Sequence, residues 1–151
     1  MKIRKVWAIK GSRPLILTTG SKRKIVLFGA LGEDRKQLFR RYDVANSDTF
    51  LDYLKHLRCK WSKMILFLDK ASYHKEKRVK SFLRKHKDSI KVFWFPTANP
   101  EANPVEECWK QGKDEVLGST FYKSFKDFRE AVIKYYRTKR FNLEVYKYLC
   151  R

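Results

Sequence analysis

Acidic residues are scarce in this chain. Its 151 residues include 16 Asp and Glu against 36 Lys and Arg, a formal net charge of +20. A compact particle carrying that excess repels itself unless a polyanion neutralises it, so nucleic acid is the first partner to consider and an anionic membrane surface the second. Long apolar runs are also missing. The longest, Met64-Ile65-Leu66-Phe67-Leu68, is far short of the roughly 20 residues a membrane span needs. The start, Met1-Lys2-Ile3-Arg4-Lys5, is not followed by a signal-peptide apolar region. The expectation is therefore no membrane partner and a cytoplasmic, nucleoid-associated location. Cysteine is sparse as well: Cys59, Cys108 and Cys150 are widely separated and odd in number, which excludes a disulfide framework or a paired-cysteine zinc site. His56-x-x-Cys59 is the nearest thing to a ligand pair and reads as helix surface. No repeat or Gly/Ser-rich linker divides the chain. With 43% hydrophobic and 15% aromatic residues it can bury a core, and residues 1–151 read as a single domain.

The first third has the alternation of strands. Leu15–Thr19, a turn at Gly20-Ser21-Lys22, and Lys24–Gly29 look like a hairpin, and Gln37–Tyr42 like a third strand. Asn46-Ser47 offers a helix N-cap ahead of Phe50, Leu51, Leu54, Leu57 and Trp61 at helical spacing. Met64–Leu68 reads as a strand buried on both faces. A helix over Ser72–Lys87 follows, and then a second such strand over Ile90–Phe95, stopped by Pro96. Strand, helix, strand in that order predicts a parallel βαβ unit. Two more helices open at Asn103-Pro104 and at Ser124. The expected architecture is α/β: an antiparallel hairpin region continued into the parallel βαβ unit as one mixed sheet, flanked by helices.

In so basic a chain the acids carry the information. Five fall among Glu101, Glu106, Glu107, Asp114 and Glu115, and Asp69 ends a strand that is otherwise wholly apolar. A carboxylate at the carboxyl end of such a strand occupies the usual ligand position of an α/β sheet, and a hard divalent cation is the chemistry that would use it. Each acid also has a structural use. Asp69 could cap the turn before the Ser72–Lys87 helix or pair with Lys70 or Lys75. Glu106 stands third after Asn103 and could close a capping box onto it.

Two stretches, Phe67-Leu68-Asp69-Lys70-Ala71-Ser72-Tyr73-His74 and Phe95-Pro96-Thr97-Ala98-Asn99-Pro100-Glu101-Ala102-Asn103-Pro104-Val105-Glu106-Glu107-Cys108-Trp109-Lys110, resemble the catalytic half of DDE transposases. The resemblance is to the bacterial and archaeal insertion-sequence relatives of mariner. It implies an RNase H-like fold lacking its first strand, with Asp69 as the second catalytic acid and metal ligand and Glu106 as the third, 36 residues lying between them. It further implies a two-metal site for Mg²⁺ or Mn²⁺ and metal-dependent cleavage and transfer of DNA strands. Transposon ends and target DNA would be the substrates, and a homodimer the assembly. His74 matches the family's histidine after the second acid, a residue that would orient substrate or the strand end. Trp109 would anchor its helix in the core. Lys70 departs from the family's usual Asn. No acid precedes Glu33, so the resemblance leads to the expectation that the first catalytic Asp and the family's helix-turn-helix are missing. The expectation is a catalytic domain incomplete at its N-terminus and inactive alone, either a remnant or the downstream half of a split or frameshifted transposase.

Nine bases lie from Lys70 to Lys91 and another nine from Lys123 to Arg151. Lys70, His74, Lys75, Lys77, Arg78 and Asn103 are the candidate nucleic-acid contacts, directed at the backbone and salt-dependent. A competing reading is a basic DNA- or RNA-binding module without catalysis.

Overall fold

The computed structural model describes residues 10, 23–96, 100–118 and 120–149. The expected strand Leu15–Thr19 and its turn lie outside these residues, as does Cys150. The chain divides into two compact units, one of residues 1–24 and 109–139 and one of residues 25–108 and 140–151.

The larger unit begins with β1 (Val26–Leu31) and β2 (Gln37–Tyr42), paired antiparallel with Phe28 opposite Arg40 and Val26 opposite Tyr42. The turn between them closes through the Gly32 N–H on the Lys36 carbonyl (2.8 Å) and puts Arg35 at φ 59°. The helix α1 (Ser47–Lys60) starts where its cap predicts. Asn46 Oδ1 accepts from the Thr49 N–H (2.9 Å), and Thr49 Oγ1 accepts from the Asn46 N–H (3.1 Å), a closed capping box. Helical spacing then buries Phe50, Tyr53, Leu54 and Leu57 on one side. Those residues join Phe28 of the hairpin, Leu68 and Val79 in a single core.

The parallel unit is present as predicted: β3 (Met64–Leu68) pairs in parallel with β4 (Ile90–Trp94). Two details differ. Among the described residues the hairpin and the parallel pair form separate two-stranded sheets, not one mixed sheet. Among the described residues the strands also pack through one face, not two. Met64 and Leu66 pack towards the core, whereas Ile65, Phe67 and Phe93 are 61%, 38% and 52% exposed. A strand's side chains alternate, and an unbroken apolar run does not itself reveal which alternate positions find a cover.

The expected helix over Ser72–Lys87 is two elements. Ser72–Lys75 forms a 3₁₀ turn, Glu76 is extended (φ −63°, ψ 151°), and α2 runs from Lys77 to Lys85. Val79 of α2 is fully buried. The Tyr53 hydroxyl donates to the Leu38 carbonyl (2.8 Å), and the Phe141 N–H donates to Gln37 Oε1 (3.0 Å). The latter ties the C-terminal segment, with its short helix α5 (Tyr146–Leu149), to β2.

In the smaller unit, α4 (Phe125–Thr138) is capped by Ser124, whose hydroxyl accepts from the Asp127 N–H (3.1 Å). The helix α3 (Pro104–Leu117) contributes its residues from Trp109 onward. Trp109 meets Tyr136 edge-on at 5.3 Å, which fits its expected anchoring role. Gly112 faces the same tyrosine so closely that a Cβ there would overlap the Tyr136 hydroxyl and lie 2.6 Å from Cζ.

Candidate active site

The carboxyl end of β3 sets Asp69 beside the 3₁₀ turn. Asp69 Oδ1 accepts from the Ala71 N–H (3.1 Å) and from His74 Nδ1 (2.9 Å). His74 Nδ1 also lies 3.1 Å from the Asp69 carbonyl oxygen. Both neighbours are acceptors, so Nδ1 carries the ring proton. The 3₁₀ turn produces this contact, because the His74 N–H bonds back to the Ala71 carbonyl (3.1 Å) and folds the ring over the strand end.

Asp69 thus makes the turn-capping bond expected of it, but its side-chain partner is His74, not Lys70 or Lys75. All of these bonds use Oδ1, and Oδ2 carries none among the described residues. The His74 hydrogen bond, helped by the Ala71 N–H, holds the Asp69 carboxyl below its ordinary value against the opposing effect of partial burial. The side chain remains 60% exposed. It is therefore an ionised carboxylate with one oxygen anchored and one open. Burial, and then the Asp69 charge, raise the neighbouring Tyr73 hydroxyl above its ordinary value.

His74 itself is buried, with 6% exposure. Its ring lies 4.1 Å from that of Phe50 and 4.4 Å from that of Tyr73, centroid to centroid. Phe50 carries no sequence mark as a neighbour of this site. Its helical spacing marks it only as core, and nothing local to His74 points to a distant helix.

Glu106 sits in the first turn of α3, in the same compact unit as Asp69. Asn103 caps that helix: its Oδ1 accepts from the Val105 N–H (3.1 Å), and its carbonyl accepts from the Glu106 N–H (3.0 Å). The reciprocal half of a capping box, present in α1, is absent here. The Glu106 side chain is exposed and makes no hydrogen bond or ion pair among the described residues.

Of the remaining candidates, Lys70, Lys75 and Lys77 are exposed around the turn and the start of α2. Arg78 is exposed and pairs through Nη1 with Asp48 of α1. Surface pairs of this kind contribute about 0–1 kcal/mol, so a phosphate could displace Asp48 at little cost. Asn103 is half-buried and committed to its cap.

The donor chemistry fits a hard divalent cation. Mg²⁺ takes oxygen ligands, keeps several waters, and is commonly held by only one or two carboxylates together with substrate phosphates. Asp69 and Glu106 each offer carboxylate oxygen that no protein group occupies among the described residues. Among the described residues, no group of three or more His, Cys, Asp or Glu side chains gathers that could hold a metal ion. None of the helices among the described residues is long and apolar enough to cross a membrane.

Comparison with known proteins bears on this arrangement. The "Insertion element IS630 uncharacterized 39 kDa protein" of Shigella sonnei is 27% identical over 119 residues, covering 76% of this chain and 34% of that protein. The "Uncharacterized protein y4pE/y4sA" of Sinorhizobium fredii (strain NBRC 101917 / NGR234) is 32% identical over 63 residues, covering 42% of this chain and 43% of that protein. The chain therefore spans less than half the length of either relative. The profile of the DDE superfamily endonucleases, a typically metal-dependent family, matches residues 1–129, which include both Asp69 and Glu106. On that match the chain belongs to the DDE superfamily endonuclease family.

Proposed function

We propose that this chain is catalytic machinery of an insertion-sequence transposase with an RNase H-like fold, in which Asp69 and Glu106 are two of the acids that hold Mg²⁺ or Mn²⁺ over a DNA phosphodiester. The observation that carries the reading is Asp69: an ionised carboxylate at a strand end, fixed through Oδ1 and open at Oδ2. Glu106 supports it, since the structural use available to that residue is not taken up. When bound, the divalent ions would supply an activated water or DNA 3′-hydroxyl and stabilise the leaving oxygen. The chain's own residues bind and orient. Asp69 and Glu106 present oxygen ligands, and Asn103 fixes the helix end from which Glu106 projects. Lys70, Lys75 and Lys77 follow the phosphates, and Arg78 joins them by exchanging Asp48 for a phosphate oxygen. No protein group forms a covalent bond to DNA, so positioning and charge do the catalytic work.

The family's chemistry uses three acids, and the third is supplied from outside the pair identified here. The test is a Mn²⁺-dependent nicking assay on supercoiled DNA, with the chain alone and joined to a transposase segment bearing a further acid-tipped strand. The chain alone is expected to bind DNA with steep salt dependence and not to cut it. The joined protein is expected to cut, and to lose cutting in Asp69→Asn and in Glu106→Gln. Cleavage by the isolated chain that survives Asp69→Asn would overturn the reading.

A further inference from the structure

We propose that His74 is a positioning residue for Asp69: its Nδ1–H holds Oδ1 and so turns Oδ2 outward to the cation. This inference rests on the metal-binding reading above. The family pattern points His74 towards substrate, but the geometry points it elsewhere. The ring is buried, it packs against Phe50 in a tilted contact at 4.1 Å and against Tyr73 edge-on at 4.4 Å, and Nδ1 is spent on Asp69. A buried side chain packed against two rings and bonded through Nδ1 is not placed to swing out to a phosphate. It can serve as a rigid post, because packing removes the rotamer freedom that a lone hydrogen bond would have to overcome.

The chemistry of the donor matters too. An imidazole donates from Nδ1 without having to carry a charge, whereas a lysine or arginine in the same place would neutralise the carboxylate and compete with the cation. The Ala71 N–H completes the arrangement. Two donors converge on one oxygen and leave the other without a protein partner among the described residues. Outer-shell hydrogen bonds of this type typically change metal affinity by about 10–100-fold when removed.

Three variants separate the donor from the ring. His74→Asn keeps a donor near the Nδ1 position, His74→Gln moves it to the Nε2 position, and His74→Phe keeps an aromatic ring without a donor. Two measurements are made on the full chain. Three-bond NMR couplings report the Asp69 χ1 rotamer without metal. Mn²⁺ titration followed by electron paramagnetic resonance reports affinity, with Asp69→Asn defining the site. Wild type and His74→Asn are expected to hold a single χ1 rotamer and to bind Mn²⁺ within about threefold of each other. His74→Gln and His74→Phe are expected to average over rotamers and to bind about tenfold more weakly or worse. A single rotamer and unchanged affinity in His74→Phe and His74→Gln, with binding still lost in Asp69→Asn, would overturn the positioning role and leave the metal site standing. Mn²⁺ binding that is insensitive to Asp69→Asn would instead overturn the metal reading, and this inference with it. If His74→Phe fails to fold, the Asn and Gln pair decides the question.

Discussion

Glu106→Ala should cost a stability increment that disappears in salt, and that salt dependence separates a ligand from a cap. In α1 the capping box is closed in both directions, with Thr49 Oγ1 also donating to the Val44 carbonyl at 3.0 Å. Losing such a side chain typically costs about 1 kcal/mol. In α3 the Asn103 side chain serves Val105, and Glu106 returns no bond. What Glu106 contributes is the attraction between its charge and the helix N-terminus, about 0.3–1 kcal/mol at low ionic strength for an exposed group and less in salt. For a chain of this size 1 kcal/mol moves the melting temperature by roughly 2–4 °C. Glu106→Ala should therefore lower Tm by roughly 1–4 °C in low salt, and by a degree or less in molar NaCl. Thr49→Ala should lower it by about 2–4 °C in both. Added Mg²⁺ sharpens the contrast. At ten times Kd, wild type should gain about 1.4 kcal/mol and Glu106→Ala distinctly less. Thermal unfolding followed by circular dichroism reads all of these. A salt-independent loss of more than about 1 kcal/mol in Glu106→Ala, with an unchanged Mg²⁺ response, would mean that the carboxylate is a cap and the reasoning is wrong.

Three other outcomes follow from the packing and titration of the chain. Gly112→Ala should destabilise by about 1–3 kcal/mol despite alanine's better helix propensity, because its methyl overlaps the Tyr136 ring end. In a Tyr136→Phe background the added cost should shrink, and equal costs in urea unfolding of the two backgrounds would remove the clash as the cause. Cys108 is fully buried, and its thiol is pushed up to about 12 chiefly by desolvation. At pH 8 only about one part in 10⁴ is thiolate. With Cys59 and Cys150 changed to Ser, Cys108 should react with a disulfide reagent only at the rate of unfolding, and fast labelling of the native protein would contradict this. His86 Nε2 accepts from Arg58 Nη1 at 3.2 Å, and desolvation and then the Arg58 charge lower its pKa below the ordinary 6.5. The unfolded chain then binds more protons than the folded one just below pH 6.5. Stability should be complete above that pH and decline as pH falls through it. Urea midpoints from pH 7.5 to 5 should show a flatter profile in His86→Asn, and an identical slope would rule out this residue.

Helix starts were readable because capping is local. Asn46 and Ser124 announce α1 and α4 within four residues, and the heptad-like spacing of Phe50, Leu54 and Leu57 names the buried side. The βαβ order was readable for a similar reason, since a polar helical stretch between two apolar runs has few other ways to close. Faces and breaks were harder. Glu76 interrupts the segment expected to be one helix, and the apolar period that defines α2 begins only at Val79. The outward positions of β3 cannot be read from a run in which every residue is apolar. The candidate site divides the same way. Asp69 and Glu106 are visible from their motifs. That Asp69 is held by His74 depends on a 3₁₀ turn, and that His74 is held by Phe50 depends on tertiary packing between α1 and the strand end. Bonds such as Tyr42 to Asp52 (2.8 Å) and Phe141 to Gln37 have no pattern at all in the chain.

Whether Asp69 and Glu106 serve one cation site can be read without catalysis, by iron-directed backbone cleavage. Fe²⁺ substituted for Mg²⁺ and treated with ascorbate and peroxide generates radicals that cut the chain beside the bound ion. A shared site should give two clusters of cuts, one around residue 69 and one around residue 106, both suppressed by excess Mg²⁺ and both lost in Asp69→Asn. Cuts around residue 69 with none around residue 106, or a pattern indifferent to Asp69→Asn, would contradict it.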